Sequence, residues 1–120
     1  ALKPWIRVVG VEPVGAPTLK RSVEENRLVE LDAISTTVGT LAARKSSAIN
    51  LDLIRANVDE IVLVSDDEMA DAARWLWFEA GLAAERSGAA ALAALVCGKI
   101  ETQPDERVCA LVCGAGLDWL

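Results

Sequence analysis

The sequence predicts an α/β fold: an open, mainly parallel sheet flanked by helices, in a single domain over residues 1–120. Three observations point that way. Short β-branched runs alternate with helical patterns, the order that lays crossover helices on a parallel sheet. Hydrophobic residues make up 52% of the chain but aromatic ones only 4%, so Ala, Val, Leu and Ile must build the core. That composition suits close helix–sheet packing better than an aromatic-rich sandwich. The length of 120 residues is that of one ordinary domain, and no repeat, linker or low-complexity segment divides it.

The elements follow in order. Trp5 to Val11 ("WIRVVGV") reads as a buried strand, with Gly10 marking close backbone approach and Pro13 ending it. Thr18 to Asn26 reads as a short polar helix. Asp32 to Ser47 has little periodicity and much Ser, Thr and Gly, the composition of a surface loop. Leu51 to Asn57 is a short helix, and Glu60 to Val64 ("EIVLV") a second strand. Ser65 and Glu68 then form an S-x-x-E capping box, with Asp66 and Asp67 adding negative charge at the positive end of the helix dipole. Met69, Ala72, Ala73, Leu76 and Ala80 make an apolar stripe, which Trp75, Trp77 and Phe78 overrun, so this helix is expected to be buried on more than one side. Gly81 fits the stop position. Leu82 to Glu85 reads as a very short strand, Ser87 to Val96 as an Ala-rich helix ended by Gly98, and Arg107 to Cys113 as a final strand.

Charge and cysteine content narrow the function. A net charge of −6 argues against a nucleic-acid or anionic-membrane surface, both of which need a basic patch. No apolar run approaches the ~20 residues of a membrane span, and no signal peptide opens the chain, so a cytoplasmic protein is the simplest expectation. The first residue, Ala1, suggests a processing boundary. Cys97, Cys109 and Cys113 are an odd set, expected to be reduced thiols. On a strand Cys109 and Cys113 lie ~13 Å apart, too far for a disulfide. Without histidine or a C-x-x-C pair, zinc is also improbable.

In open α/β sheets, ligands sit beyond the carboxyl ends of strands. Three such ends stand out: Glu12-Pro13, Glu85, and Cys113-Gly114-Ala115-Gly116. Each has a plain alternative: Glu12 as a solvated turn carboxylate, Glu85 as a helix cap, Cys113 as a small core hydrophobe. The "GAG" turn lacks the third glycine and the following helix of a dinucleotide site, which disfavours a nucleotide-binding domain.

Taken together, "RVVGVEPVGAPTLKRSVEENRLVEL", "STTVGTLAAR", "VDEIVLVSDDEMADAARWL", "GLAAERSGAAALAAL" and "VCALVCGAGLDWL" occur in an order that resembles the C-terminal part of the serine/threonine dehydratase (threonine ammonia-lyase) family. These are pyridoxal-phosphate enzymes of the tryptophan-synthase-β fold, so the resemblance implies part of the large domain of a fold-type-II enzyme. The implied reaction is β-elimination from a hydroxy amino acid, giving a 2-oxo acid and ammonia. The implied partners are the missing N-terminal portion of the enzyme, the hydroxy amino-acid substrate and further copies in a homo-oligomer, with neither nucleic acid nor membrane. The lysine that carries the cofactor and the glycine-rich phosphate loop belong to that missing portion, so this chain alone is expected to be inactive and no catalytic residue is assigned to it.

The resemblance assigns cofactor-binding positions residue by residue. Cys113 falls where the family places a Ser or Cys on the pyridine nitrogen, and Gly114 and Ala115 where small residues admit the ring edge. Glu85, in "AERSGAA", matches an E-x-x-G-A segment near the cofactor, with Arg86 where Pro or Gly is more usual. Gly39 and Thr40 match an Asp-Gly step whose backbone passes the ring. Gly116-Leu117-Asp118 replaces the family's Asn-Thr-Asp. Glu12 and the Ala16 carbonyl correspond to a divalent-cation site in some relatives; Thr18 stands in place of its acidic ligand, so no metal is expected. The competing reading is a non-catalytic α/β module that binds an amino acid or a partner.

Overall fold

The computed structural model describes residues 3–118. Ala1, and Trp119 and Leu120 at the end of the terminal motif, lie outside the described residues. Two parallel strands pair in register: β1 (Val9–Pro13) and β2 (Glu60–Val64), with Val9 opposite Glu60 and Pro13 opposite Val64. Between them run α1 (Thr18–Glu24), a 3₁₀ turn at Gly39–Leu41 and α2 (Ala48–Asn57). After β2 come α3 (Asp66–Ala80), a 3₁₀ turn at Ser87–Ala89 and α4 (Ala90–Val96).

Side-chain alternation along the strands divides the layers. Val11, Val62 and Val64 join the main core with Met69, Ala72, Ala73 and Leu76 of α3 and Ala90, Ala93 and Ala94 of α4. Ile61 points to the other face, where it lines a cavity with Val23 of α1 and Ile54 of α2. The alanines let α3 and α4 approach each other and the sheet closely, as the low aromatic content leads one to expect.

The expected capping box is present: the Ser65 hydroxyl accepts from the Glu68 N–H at 3.1 Å, and the Glu68 carboxylate accepts from the Ser65 N–H at 2.7 Å. Gly81 ends α3 in the left-handed conformation, φ +66°. Glu68 also pairs with Lys99 at 2.9 Å, and that hydrogen bond, with the Ser65 N–H, holds its carboxyl below the ordinary range.

Six expectations are corrected. The first strand starts at Val9, not Trp5: Trp5 and Ile6 are exposed and have no β2 residue opposite them. Pro13 lies within the ladder rather than beyond it. α2 begins at Ala48, capped by Ser47, whose hydroxyl accepts from the Asn50 N–H. Leu82 to Glu85 and Arg107 to Cys113 run without strand pairing. Trp75, Trp77 and Phe78 are exposed, at 49%, 41% and 73%, and so is Ala80 of the stripe, so α3 is buried along one face, by Met69, Ala70, Ala72, Ala73 and Leu76.

Candidate functional site

The turn into α4 and the chain's last segment meet closely. The Glu85 N–H donates to the Gly114 carbonyl at 3.2 Å. A side chain on Gly114, whose φ is +72°, would run into the Glu85 carboxylate, and one on Gly88 into the Cys113 carbonyl. Glycine is therefore required at both positions, at Gly114 by conformation as well as by space. Glu85 is itself positioned: its carboxylate accepts from the Ser87 hydroxyl at 2.6 Å. Cys113 follows this fixed backbone with its side chain exposed, which sets aside the reading of it as a core hydrophobe.

Arg86 fastens the same wall. Its N–H donates to the Asp118 carboxylate and its guanidinium to the Asp118 carbonyl, both at 2.8 Å, while the other guanidinium arm reaches the Thr37 hydroxyl at 3.5 Å. Its Nε atom is buried without a partner among the described residues. Asp66 holds the far side of Thr37, accepting from its N–H at 2.6 Å and its hydroxyl at 2.7 Å, and also from the Thr36 hydroxyl at 2.6 Å. Partial burial pushes the Asp66 carboxyl up, but these hydrogen bonds outweigh it and hold the group below its ordinary value. Thus α3, the α4 turn, loop 36–38 and segment 113–118 are tied at one place.

Glu85, Cys113 and Gly114 are brought together there, with Ala115 next in the chain. Gly39 and Thr40 sit in the exposed 3₁₀ turn just past Thr37, and a side chain on Gly39 would meet nothing within 4 Å. Glu12 lies elsewhere: its two carboxylate oxygens accept from the Leu19 and Lys20 N–H groups at 2.8 Å, capping the first turn of α1. Burial pushes its carboxyl up despite those bonds and Lys20. Both oxygens being so used, Glu12 is explained as a structural group. Sequence reasoning missed Ser87, Asp118, Thr37 and Asp66 as wall-building residues. Asp118 and Arg86 are 32 residues apart, so no local pattern links them.

Known proteins share the sequence and the fold of this chain. The chain is 38% identical over 117 residues to the phenylserine dehydratase of Ralstonia pickettii, covering 98% of this chain and 36% of that enzyme. It is 31% identical over 111 residues to the biosynthetic L-threonine dehydratase of Halalkalibacterium halodurans, covering 92% of this chain and 27% of that one. Among solved structures, the processed form of threonine deaminase isoform 2 from Solanum lycopersicum superposes with a TM-score of 0.83 at 27% identity, covering 98% of this chain and 34% of that chain. The chain thus spans about a third of the length of these relatives, and its α/β architecture is that of part of a fold-type-II enzyme. Residues 1–114 match the family model described as pyridoxal-phosphate dependent enzyme, and the chain belongs to that family.

Proposed function

We propose that this chain forms one wall of the active site of a hydroxy-amino-acid lyase, which eliminates water from its substrate to leave an enamine, whose hydrolysis by water gives a 2-oxo acid and ammonia. The observation that carries the reading is the junction of Glu85 and Gly88 with Cys113 and Gly114, two contacts that tolerate no extra carbon. A backbone fixed so tightly, presenting one exposed thiol, suits a flat ring held at its edge. Cys113 would hold the pyridine nitrogen, Gly114 and Ala115 would leave room for the ring edge, and Glu85 with the backbone of Gly39 and Thr40 would border it. When bound, pyridoxal phosphate supplies an electron sink for the substrate's α-carbon. A thiol is a weak donor and brings no charge to the ring nitrogen, so Cys113 favours a weaker sink, suited to elimination over transamination.

The chain's lysines support completion by further polypeptide. Lys3 lines a groove with Val9 and Val108, Lys20 bonds to the Ile61 carbonyl and pairs with Glu24, Lys45 pairs with Glu30, and Lys99 with Glu68. None of these stands at the Glu85–Cys113 wall. Among the described residues no helix is long and apolar enough to cross a membrane. The three free cysteines suit a reducing cytoplasm, and the exposed Trp75, Trp77 and Phe78 suit assembly with further copies.

The test compares this chain with a polypeptide that also carries the family's lysine segment. The chain mixed with pyridoxal phosphate should gain no borohydride-fixed label confined to a single lysine and make no 2-oxo acid from L-serine, L-threonine or phenylserine. The longer polypeptide should do both, and its Cys113→Ala variant should shift the bound cofactor's absorbance and lose about tenfold in rate, one net hydrogen bond. Deamination by the chain alone, or an unchanged absorbance in Cys113→Ala, would sink the reading.

A further inference from the structure

Aromatic residues are scarce in this chain, and they stand outside its core. Of its 4 Trp and 1 Phe, three fall between residues 75 and 78, while no residue of the main core is aromatic. Leu76 of α3 is buried in that core with Val11, Val62 and Val64 of the sheet. Phe78, two residues on, is turned about 200° around the helix from Leu76, so it looks away from the sheet. Trp75 flanks it on this outer ridge, and Leu82 lies at the ridge's end, just past the Gly81 stop. Trp75, Phe78 and Leu82 are exposed at 49%, 73% and 50%.

The direction of the ridge decides which kind of partner can cover it. Helices laid on a sheet form the outer layer of a domain, and further strands widen the sheet sideways beneath them. A face turned outward from that layer is reached by another molecule and not by the domain's own sheet. The ridge is also self-complementary. Arg74, which pairs with Asp71 on the exposed side, stands one turn before Phe78. That pairing is solvated and weak, which leaves the guanidinium plane free to stack on an aromatic face. If two copies of α3 lie antiparallel about a two-fold axis level with Leu76, Arg74 of each comes opposite Phe78 of the other. The two Trp75 rings then meet beside the axis. No like charges are opposed, because Asp71 comes opposite Gly81 and Glu79 opposite Ala73.

We infer that the outer ridge of α3 is an isologous interface whose occupant is the same ridge of a second copy of this chain. The inference rests on the proposed assembly with further copies and names the surface that makes it. Aromatic anchors ringed by charged residues are the composition of a specific contact, and a two-fold axis is the commonest way to close one. At their exposures Trp75, Phe78 and Leu82 leave about 100 Å² each open to water, so two copies cover about 600 Å² of it. The charged rim brings the total to the order of 1,000 Å², where specific interfaces begin, so the dimer is a reversible one.

Sedimentation of the full chain over about 1–100 μM, without cofactor or substrate, should show a monomer–dimer equilibrium. Phe78→Arg sets two arginines against each other at both ends of the contact and should weaken the dimer at least tenfold. Adding Arg74→Phe to it exchanges the two partners and restores each cation–aromatic contact, so the double variant should return to within about threefold of the wild type. Both positions are outside the core, so helix content should be the same in all three proteins. Trp5→Ala removes an equally exposed aromatic elsewhere and should leave the equilibrium as it was. A chain that stays monomeric, a dimer that survives Phe78→Arg, or a double variant as weak as the single one each overturns the inference. Deamination enters none of these measurements, so such a result leaves the lyase reading as it stands. An intact dimer in a longer polypeptide that makes no 2-oxo acid would count against the lyase reading alone.

Discussion

Replacing Gly88 by alanine tests whether the α4 turn holds the last segment in place. The added carbon would overlap the Cys113 carbonyl oxygen and lie 2.8 Å from both the Cys113 carbonyl carbon and the Gly114 oxygen. Ordinary carbon contact begins near 3.5 Å, so backbone must move by roughly 2 Å from the oxygen, and no rotamer change relieves it. Moving the turn would disturb Ala89, Ala90 and Ala93, all buried in the main core. Moving the last segment instead weakens the Glu85–Gly114 hydrogen bond and the two Arg86–Asp118 bonds, of about 1 kcal/mol for the neutral one and somewhat more for the charged. Overpacking costs about 1–3 kcal/mol, so the displacement is expected to fall on the weaker side, the last segment. Amide exchange should then speed up at Glu85 and Arg86 by about 5- to 150-fold, at 1.36 kcal/mol per decade, while Met69 in α3 stays as it was. Gly39→Ala is the control: its new carbon meets nothing and its backbone is not left-handed, so it should be neutral or stabilising by about 0.4–1 kcal/mol. Unchanged exchange at Glu85 and Arg86 in Gly88→Ala would refute the reasoning.

Other perturbations reach the remaining supports. Ser65→Ala removes half of the α3 capping box and should cost about 1 kcal/mol in urea unfolding. Asp66→Asn tests the carboxylate that holds Thr36 and Thr37: its folded pKa is lowered, so its contribution is present above the ordinary aspartate value of 3.8 and is lost as pH falls through the lower folded value. The wild-type chain should therefore lose stability below about pH 4 more steeply than Asp66→Asn, and parallel acid limbs would contradict this. Glu12→Gln keeps one acceptor oxygen for the two N–H groups of α1, and the orphaned donor should cost about 1–3 kcal/mol, read in the same urea titration. Arg86→Ala should expose residues 114–118 to proteolysis, and Arg86→Lys should restore little, because lysine lacks the planar fork that reaches Asp118 and Thr37 together.

Features legible in the sequence are those whose causes are local. The capping box, the Gly81 stop and the five residues of β2 each depend on neighbours within a turn or on simple β-branched content. The first strand was displaced because its limits are set by β2: five residues in Glu60–Val64 pair with five in Val9–Pro13. Pro13 is admitted to the ladder because odd positions of β1 face away from β2, where a missing N–H costs no bond. The wall followed the same division. Glu85, Gly114 and Cys113 stand out by type and position, whereas Arg86 and Asp118 acquire their role only when segments 32 residues apart are folded together.

Arg107 to Cys113 shows where the division leads. Val108, Leu111 and Val112 give it the side chains of a strand, yet it is not one. Strand propensity reports how residues fit a pleated, half-buried surface, whereas a strand also needs a neighbour that supplies hydrogen bonds. Here the nearest edge, that of Val9 and Val11, lies across a groove rather than within bonding reach. Edges left this way invite pairing, and this one bears neither a charged side chain nor a bulge at Val9 or Val11 to blunt it. The mismatch between a strand-like sequence and an unpaired segment therefore lies in the distance to the nearest edge and not in the residues themselves.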